Sequence, residues 1–419
     1  MTRLPFNLAL MLVCGLLTLG ARPVWAEEWP QLLGPGRTGV SAEQGLLKSW
    51  PAGGPAVVWR VPGGVGMSGV VVVQDRVLTL VQREGRQWAV CLSAKDGSEL
   101  WHSDLAPALR NQMGDGPRST PTVVGDVAYV FTGQGVLLAL RLQDGSQIWS
   151  NDLMETLEGE LADYGMACSP LVVGERVIVT VGAASATVVG VEAKTGKVAW
   201  QAGREQPAGY SSPALIPVKG RPQVVVFAGA SALGLDPQTG KELWTFPYVT
   251  DFACNIATPL AVDGGVFLSS GENHGSVLLD LKPGGQGFEA VPRWTSYGPK
   301  STFRNEWQTS VALDGALYGF DNVGSAGPVT HLACIDPRTG ERHWQELRFG
   351  KGNLTAADGK LFIITLTGEL VVVRANPQKF EVLGRQPLLE KTRTAPALSG
   401  GRLFARDDHE IVCVDVREP

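Results

Sequence analysis

Four residues with oxygen-bearing side chains form two short clusters in the second half of this 419-residue sequence. Glu272 and Asn273 stand together, and Asp321 is followed by Asn322. Carboxylate and amide oxygens are the ligands that Ca²⁺ prefers, so these four residues are candidate metal ligands. Asp251 and Asp321 are also candidate general bases, because a carboxylate in a cleft can accept the proton of an alcohol.

Three arginines and two aromatic residues are candidates for binding a flat, anionic cofactor. The guanidinium groups of Arg118, Arg304 and Arg393 are suited to binding a carboxylate. Trp307 offers a ring on which a flat ligand can stack, and Tyr210 is the fifth candidate. The alternative for each residue is an ordinary solvated position, because loops favour polar residues in any case.

The sequence lacks the compact motifs of several other chemistries. It contains no C-x-x-C, H-x-x-x-H, G-x-S-x-G or Walker pattern. Its formal net charge is −5 and it has no basic stripe, which argues against a nucleic-acid partner. Five widely spaced cysteines are expected to be mostly small buried residues, with their disulfide status left open: Cys91, Cys168, Cys254, Cys334 and Cys413.

A repeated pattern indicates the scaffold that positions these residues. In five segments that align without gaps, a Gly is followed four residues later by a Trp: Gly97/Trp101, Gly145/Trp149, Gly196/Trp200, Gly240/Trp244 and Gly340/Trp344. Asp-Gly or Thr-Gly supplies the positive φ that a tight hairpin needs. The Trp is expected to start the next strand, and its recurrence favours packing between repeats over ligand binding.

The repeat predicts an all-β, eight-bladed β-propeller with four antiparallel strands per blade. Successive repeat tryptophans, from Trp59 to Trp344, are 42–51 residues apart, which suits four short strands. A weak copy near Leu370 leaves seven blades as the fallback. Residues 57–61 look like an outer strand without a third strand, and residues 411–415 look like a third strand without an outer one. We therefore expect the N-terminal strand to complete the last blade and close the ring.

The N-terminus divides into two segments before the propeller. Residues 1–26 have a positive start, a short apolar core and small residues before a cut after Ala26, which predicts a cleavable signal peptide and a periplasmic or secreted protein. The position of Cys14 makes a lipoprotein the less favoured alternative. Residues 27–55 are expected to form an irregular arm, and residues 56–419 a single propeller domain without a transmembrane segment.

The topology of a propeller places the candidate residues on one face. Loops that lead into the first strand of each blade share a face with the turns between the second and third strands. Arg118, Tyr210, Asp251, Arg304, Trp307 and Arg393 are assigned to the first kind of loop, and Glu272, Asn273, Asp321 and Asn322 to the second. That face surrounds the mouth of the central channel, where propellers usually bind ligands.

The motif resembles the repeat of the pyrroloquinoline-quinone (PQQ) propeller superfamily, roughly A-x-D-x-x-T-G-x-x-x-W. It matches best at residues 236–244, 336–344 and 193–200. The resemblance implies a fold that is shared by PQQ-dependent alcohol dehydrogenases and by non-enzymatic members such as the assembly lipoprotein BamB. The dehydrogenases usually carry two adjacent cysteines against the cofactor, and this sequence has no such pair.

Two functions from different classes follow from this resemblance. The favoured one is an exported binding or scaffold protein that presents its funnel to a protein partner or a small ligand. The alternative is a dehydrogenase of alcohols or sugars in which PQQ accepts the hydride and Ca²⁺ polarises its quinone. An unrelated hydrolytic or sugar-binding role is the remaining hypothesis.

Overall fold

The computed structural model describes residues 27–285, 287–324 and 329–418. These residues form eight antiparallel sheets of four strands each. The helical segments among them are one short helix, α1 (Leu153–Thr156), and one 3₁₀ turn (Asp251–Ala253). Eight blades are therefore confirmed, and the seven-bladed alternative is excluded. The predicted signal peptide, residues 1–26, lies outside the described residues.

Blades 1 to 4 follow one another along the chain, each with its strands in sequence order from the channel outwards. Blade 1 comprises β2 (Val71–Val73), β3 (Arg76–Arg83), β4 (Arg86–Ser93) and β5 (Glu99–Pro107). Blade 2 comprises β6 (Thr122–Val124), β7 (Val127–Phe131), β8 (Val136–Arg141) and β9 (Gln147–Asp152). Blade 3 comprises β10 (Leu171–Val173), β11 (Arg176–Ala183), β12 (Ala186–Glu192) and β13 (Val198–Ala202). Blade 4 comprises β14 (Ala214–Val218), β15 (Arg221–Phe227), β16 (Ser231–Leu235) and β17 (Glu242–Pro247).

Blades 5 to 7 continue the same order, and blade 8 joins both ends of the chain. Blade 5 comprises β18 (Leu260–Val262), β19 (Gly265–Ser270), β20 (Gly275–Gly284) and β21 (Gly287–Tyr297). Blade 6 comprises β22 (Val311–Leu313), β23 (Ala316–Val323), β24 (Val329–Ile335) and β25 (Arg342–Glu346). Blade 7 comprises β26 (Gly352–Ala357), β27 (Lys360–Thr365), β28 (Glu369–Arg374) and β29 (Val382–Pro387). Blade 8 comprises β30 (Ala397–Ser399), β31 (Arg402–Arg406), β32 (Glu410–Asp415) and β1 (Val57–Pro62).

The N-terminal strand closes the ring as the sequence predicted. β1 pairs antiparallel with β32, with Val57 opposite Val414 and Pro62 opposite Glu410. Trp59 of β1 is 7% exposed and belongs to the apolar core that joins blade 8 to its neighbours. Closure removes the free edges that an open ring would expose.

The repeat Gly and Trp residues meet between neighbouring blades. Gly145 and Gly196 both have positive φ, at 73° and 71°. A Cβ on Gly145 would lie 2.4 Å from the ring of Trp101, and one on Gly196 would lie 2.4 Å from the ring of Trp149. The indole Nε1 of Trp149 also donates a hydrogen bond of 2.9 Å to the carbonyl of Ala193 in the next blade. The repeat motif thus packs blades 2 and 3 against the blades before them.

The expectation that the repeat tryptophans start the outer strands was wrong by two residues. Trp200 is the third residue of β13 and lies opposite Gly190 of β12. The strand begins earlier because Val198 already pairs with Val191, and a bulge between these two pairs accommodates the extra residue. The same third position and the same bulge recur in the other four repeats, at Trp101, Trp149, Trp244 and Trp344.

Trp200 is a packing residue between blades 3 and 4. Its side chain is buried, with 7% exposed. A Cβ on Gly190 would lie 2.2 Å from its indole, and one on Gly240 of the next blade would lie 2.4 Å from it. Its Nε1 donates a hydrogen bond of 3.3 Å to the carbonyl of Pro237 in blade 4. These contacts leave its ring unavailable as a shelf for a ligand.

Trp244 departs from this pattern of contacts between blades. Its Nε1 donates a hydrogen bond of 2.8 Å to the side chain of Gln223 in its own blade. The next blade lacks the repeat glycine, and the longer turn predicted there was wrong. Instead, β20 and β21 are long strands that stay paired up to Gly284 and Gly287. The other repeat tryptophans donate to a carbonyl of the following blade, as Trp344 does to Asn376 at 2.8 Å.

We expect Gly196→Ala to lower the free energy of unfolding by about 2–4 kcal/mol. The left-handed backbone costs an alanine roughly 1–2 kcal/mol, and crowding against Trp149 adds about 1–3 kcal/mol. Gly220→Ala is the matched control, because Gly220 has a φ of 77° and no atom within 4 Å of the added Cβ. Urea unfolding of both variants measures the difference. Equal losses in the two variants would contradict the packing role.

The segment before β1 pairs with the inner strands of the propeller. Trp29 and Val72 of β2 exchange two backbone hydrogen bonds of 2.8 Å, and the carbonyl of Pro30 accepts from the N–H of Val123 in β6. On the other side of the channel, the N–H of Ser41 donates to the carbonyl of Ala356 in β26. The arm therefore crosses the channel from blades 1 and 2 to blade 7.

Arg37, at the centre of the arm, reaches the beginnings of three inner strands. Its Nη1 donates to the carbonyls of Ser169 (3.2 Å) and Pro213 (2.8 Å), and its Nη2 donates to the hydroxyl of Thr122 (3.2 Å) and to the carbonyl of Pro170. Arg37 is 3% exposed, and burial lowers the pKa of its guanidinium to about 9. The arm thus fills the channel up to the level where blades 2, 3 and 4 begin.

Candidate functional site

The loops that lead into the inner strands lie on one face of the disc, which we call the top face. They connect each outer strand to the next blade and share this face with the turns between second and third strands. The opposite, bottom face carries the remaining hairpin turns. Because the arm fills the channel below, a ligand reaches the channel mouth from the top face. Polar and aromatic side chains from at least six blades surround that mouth.

Two arginines from different blades converge on the loop between blades 1 and 2. Arg118 donates from Nη1 to the carbonyl of Gly116 and from Nη2 to that of Gly114, both at 2.8 Å. Arg393, in the loop before blade 8, donates from Nη1 to the carbonyl of Met113 at 2.6 Å. Burial, and next the positive charge of Arg393, lower the pKa of Arg118. Both side chains are half-buried.

Trp307 lies beside two cations at the same mouth. The Nζ of Lys351 is 4.6 Å, and the Cζ of Arg393 5.6 Å, from the centre of its indole ring. Lys351 also forms an ion pair of 2.6 Å with Glu306. Burial raises the pKa of Glu306, and the Lys351 ammonium acts against that rise. Sequence reasoning missed Lys351, although its position before an inner strand matches that of the other candidates.

Tyr210 is buried at the blade 3–4 side of the mouth. Its ring lies 5.4 Å from that of Tyr164, and its hydroxyl accepts a hydrogen bond of 3.4 Å from the Tyr164 N–H. Burial raises the pKa of the Tyr210 hydroxyl. The structure therefore places Tyr210 across the mouth from Arg393, with its hydroxyl engaged by the backbone.

All five cysteines of the described residues are free thiols. Cys254, in the loop before blade 5, is half-exposed, and the other four are buried. Burial raises the pKa of the Cys254 thiol to about 11, and the carboxylates of Glu272 and Glu306 contribute to the rise. Because a thiolate is the nucleophilic form, this surrounding favours an unreactive thiol at neutral pH.

Asp321 and Arg304 form a buried ion pair in blade 6. Arg304 Nε and Nη2 donate to the two oxygens of Asp321 at 2.7 and 3.1 Å. Arg342 Nη2 and Gln345 Nε2 donate to the same carboxylate, each at 3.1 Å. The side chains of Arg304 and Asp321 are 4% and 1% exposed. All four donors point at one carboxylate, which is therefore saturated by the protein itself.

The assignment of Asp321 and Asn322 to a turn was wrong. Both residues lie within β23, where Asp321 pairs with His331 and Asn322 with Thr330 of β24. The Asn322 side chain accepts a hydrogen bond from the Thr330 hydroxyl at 2.8 Å and donates to the Arg304 carbonyl at 2.9 Å. β23 extends further than its apolar pattern indicated, because these two polar side chains find buried partners.

Glu272, Asn273 and Asp251 lie near blade 5. Glu272 and Asn273 occupy the turn between β19 and β20 with φ values of 51° and 63°. Asn273 Oδ1 accepts a hydrogen bond of 3.1 Å from the N–H of Gly324. The exposed Asp251 lies 3.6 Å from the ring of His274. The structure brings Asp251 and Glu272 to the same side of the mouth and leaves Asp321 buried in the next blade.

The predicted calcium ligands do not fit a calcium site. The oxygens of Asp321 and Asn322 are engaged by protein donors, so at most two of the four predicted residues, Glu272 and Asn273, could contribute to such a site. Six to eight oxygens normally surround Ca²⁺. Within residues 27–285, 287–324 and 329–418, no group of three or more His, Cys, Asp or Glu residues is arranged to hold a metal.

Comparison with solved structures identifies the fold. BamB from Moraxella catarrhalis superimposes with a TM-score of 0.58 and 17% identity over 85% of this chain and 97% of the other. Quinohemoprotein alcohol dehydrogenase from Comamonas testosteroni superimposes with a TM-score of 0.66 and 14% identity, over 94% of this chain and 81% of the dehydrogenase. A europium-containing methanol dehydrogenase superimposes with a TM-score of 0.65 and 14% identity, over 93% of this chain and 89% of the dehydrogenase. At these identities the similarity shows the fold alone.

Comparison with sequences identifies the family. No curated protein matches this sequence significantly. No helix in the described part of the chain is long and apolar enough to cross a membrane. The family model described as outer membrane protein assembly factor BamB matches residues 85–317 and 328–418, which is well over half of the sequence. The chain therefore belongs to this BamB family of PQQ-like β-propellers.

Proposed function

We propose that this protein is an exported, non-enzymatic binding protein that takes part in the assembly of outer membrane proteins. Its family description and the predicted signal peptide in residues 1–26 support this role. A protein partner binds the top face, and the rigid ring holds the inter-blade loops in place for it. The observation that supports it is that the three most exposed large apolar side chains of the described residues, Val249, Phe252 and Leu347, all lie on this face.

Large apolar side chains are exposed on the top face. Those of Val249 and Phe252 are each 71% exposed, in the loop between blades 4 and 5. Tyr297, at the end of β21, is 48% exposed and contacts Tyr248 edge-on at 5.9 Å. Four exposed residues of the top face lie in other inter-blade loops or next to them: Met113, Leu161, Tyr297 and Leu347. Exposed apolar patches rimmed by polar groups are typical of protein interfaces.

The backbone at Phe252 holds its ring away from the protein. Phe252 has a φ of 58° and a ψ of 21°, and Ala253 follows with a φ of 53°. A left-handed conformation in a bulky residue costs about 1–2 kcal/mol. Strain of this kind is concentrated at binding and catalytic sites. A partner that buries the Phe252 ring compensates for that cost.

The dehydrogenase alternative has less support. It requires a carboxylate free to accept a proton and oxygen ligands free to bind calcium. The Asp321 carboxylate accepts hydrogen bonds from Arg304, Arg342 and Gln345 instead. Asp251 remains a candidate base on its position alone. The superposition with quinoprotein dehydrogenases supports the alternative only at the level of the fold.

Site-specific photo-crosslinking tests the partner proposal. A photoreactive phenylalanine analogue replaces Phe252 or Val249 in cells of the natural host, and Val124 is the control. Val124 is 50% exposed but lies at the bottom face, at the end of β6 beside the turn to β7. We expect adducts with an outer membrane assembly protein from positions 252 and 249 and none from 124. No adduct from the top face, or equal adducts from Val124, would contradict the proposal.

Incubation with PQQ and Ca²⁺ tests the alternative. The purified protein is mixed with both and supplied with alcohols, sugars and a redox dye. We expect no dye reduction above that of heat-denatured protein. Tight PQQ binding with dye reduction would replace the scaffold function by the dehydrogenase function.

A further inference from the structure

Arg118 and Arg393 place two positive charges side by side at the channel mouth. They approach from blades 2 and 8 and donate to three carbonyls of one short segment, residues 113–116. A Cβ on Gly114 would lie 4.0 Å from Arg393 Nη1, and Gly114 is also an acceptor of Arg118. The two guanidinium groups therefore flank the same residue.

Neither guanidinium forms an ion pair with a carboxylate of the described residues. Asp115, the acidic residue in the loop of Arg118, accepts a hydrogen bond from the N–H of Asn111. Lys351, by contrast, is paired with Glu306. A guanidinium has five N–H donors, and the hydrogen bonds to carbonyls described above use only some of them. Two adjacent cations repel each other, and an anion between them would remove that repulsion.

The surroundings of the pair suit an anionic group carried by a larger apolar molecule. Arg393 lies over the Trp307 ring and also contacts the sulfur of Met67 at 3.9 Å. Met113, whose carbonyl accepts from Arg393, has a side chain that is 45% exposed. A charge-assisted hydrogen bond is stronger beside apolar groups that exclude water.

We propose that Arg118 and Arg393 form a carboxylate-binding site at the channel mouth. This inference rests on the proposed function, since it names the chemistry that the partner presents: an acidic side chain, held through paired N–H···O bonds. A small organic acid is the second source of the same carboxylate chemistry. No covalent step is involved.

Titration with blocked peptides tests the site directly. The probes are an N-acetylated, C-amidated pentapeptide with a central Glu, the same peptide with Gln, and succinate. Binding is followed by tryptophan fluorescence, and Trp307→Phe identifies the contribution of Trp307. We expect saturable binding of the Glu peptide and about tenfold weaker binding of the Gln peptide, as loss of charge-assisted hydrogen bonds predicts.

Variants of the protein locate the binding. Arg118→Gln and Arg393→Gln are each expected to weaken Glu-peptide binding by about tenfold. Arg204→Gln is the matched control, because Arg204 is exposed in the loop before blade 4 and its replacement removes the same charge from the top face. Thermal unfolding checks that every variant is folded. Retained binding in both arginine variants, or an equal loss in Arg204→Gln, would overturn the site.

The probes also separate the possible sources of the carboxylate. If succinate binds saturably and the Glu peptide does not bind, the site takes a small organic acid. That result would overturn the proposal that it binds an acidic side chain of the partner. Equal affinities for the Glu and Gln peptides, or no binding by any probe, would overturn the site itself. None of these results depends on adducts at Phe252, so failure of the partner proposal is recognised separately.

Discussion

Arg37→Met is expected to lower the free energy of unfolding by about 2–4 kcal/mol, because it leaves the buried carbonyls of Ser169 and Pro213 without this donor. The Pro170 carbonyl keeps the Thr122 hydroxyl as a donor. The guanidinium donates to Ser169, Pro170 and Pro213 carbonyls and to the Thr122 hydroxyl, and a methionine of similar length donates nothing. Each buried acceptor that is left unsatisfied costs about 1–3 kcal/mol. The lost cost of burying a charge offsets part of this sum, so the net value lies well below the total.

Urea unfolding and limited proteolysis measure the effect of Arg37→Met. The arm is expected to be cleaved near the exposed Gly53 at lower protease concentration than in the unchanged protein. Arg37→Lys keeps the charge and part of the donor set, so its stability is expected to lie between that of the unchanged protein and that of Arg37→Met. Arg204→Gln controls for the loss of one cation. A stability equal to that control would contradict the prediction and mean that the other contacts of the arm hold it without Arg37.

The repeat made the propeller predictable, because its Gly and Trp residues act in contacts between blades. A Gly with positive φ and a Trp that packs on the Gly of the next blade recur at fixed spacing, as with Gly240 against Trp200. The exact start of each outer strand was not predictable, since the bulge before Trp200 depends on pairing with β12 and leaves no mark in the pattern. The arm has no repeat, and nothing local to Arg37 indicates that it bonds to residues 132 and 176 positions away.

The candidate site was predictable only in part. The propeller topology indicates on which face a residue lies, but not which side chains it pairs with. Topology placed Arg118, Trp307 and Arg393 at the channel mouth, where the structure has them. The same argument could not show that Arg304 and Asp321 form a buried ion pair with each other in blade 6. Lys351 was missed because a Lys between two glycines has the appearance of an ordinary turn residue.

Asp321→Asn distinguishes a structural carboxylate from a catalytic one. The substitution preserves the size of the side chain but leaves the buried Arg304 without a counter-ion, and removing one partner of a buried pair costs about 3–5 kcal/mol. Arg342 is partly exposed and is solvated more readily. We expect urea unfolding to show this loss. Asp314→Asn, an exposed acid in the same blade, is expected to change stability by no more than about 0.5 kcal/mol.

A second substitution separates the lost ion pair from general damage to blade 6. In Asp321→Asn with Arg304→Met, the guanidinium left without its carboxylate is the partly exposed one of Arg342, so stability is expected to recover by at least about 1 kcal/mol relative to Asp321→Asn. If Asp321 were instead a metal ligand or a proton acceptor, Asp321→Asn would abolish PQQ-dependent dye reduction and leave the unfolding curve nearly unchanged. For a binding propeller we expect three results together. Asp321→Asn is strongly destabilised, the added Arg304→Met restores part of the stability, and neither the unchanged protein nor Asp321→Asn reduces the dye. The paired measurements therefore assign the carboxylate of Asp321 to the fold or to chemistry in a single set of variants.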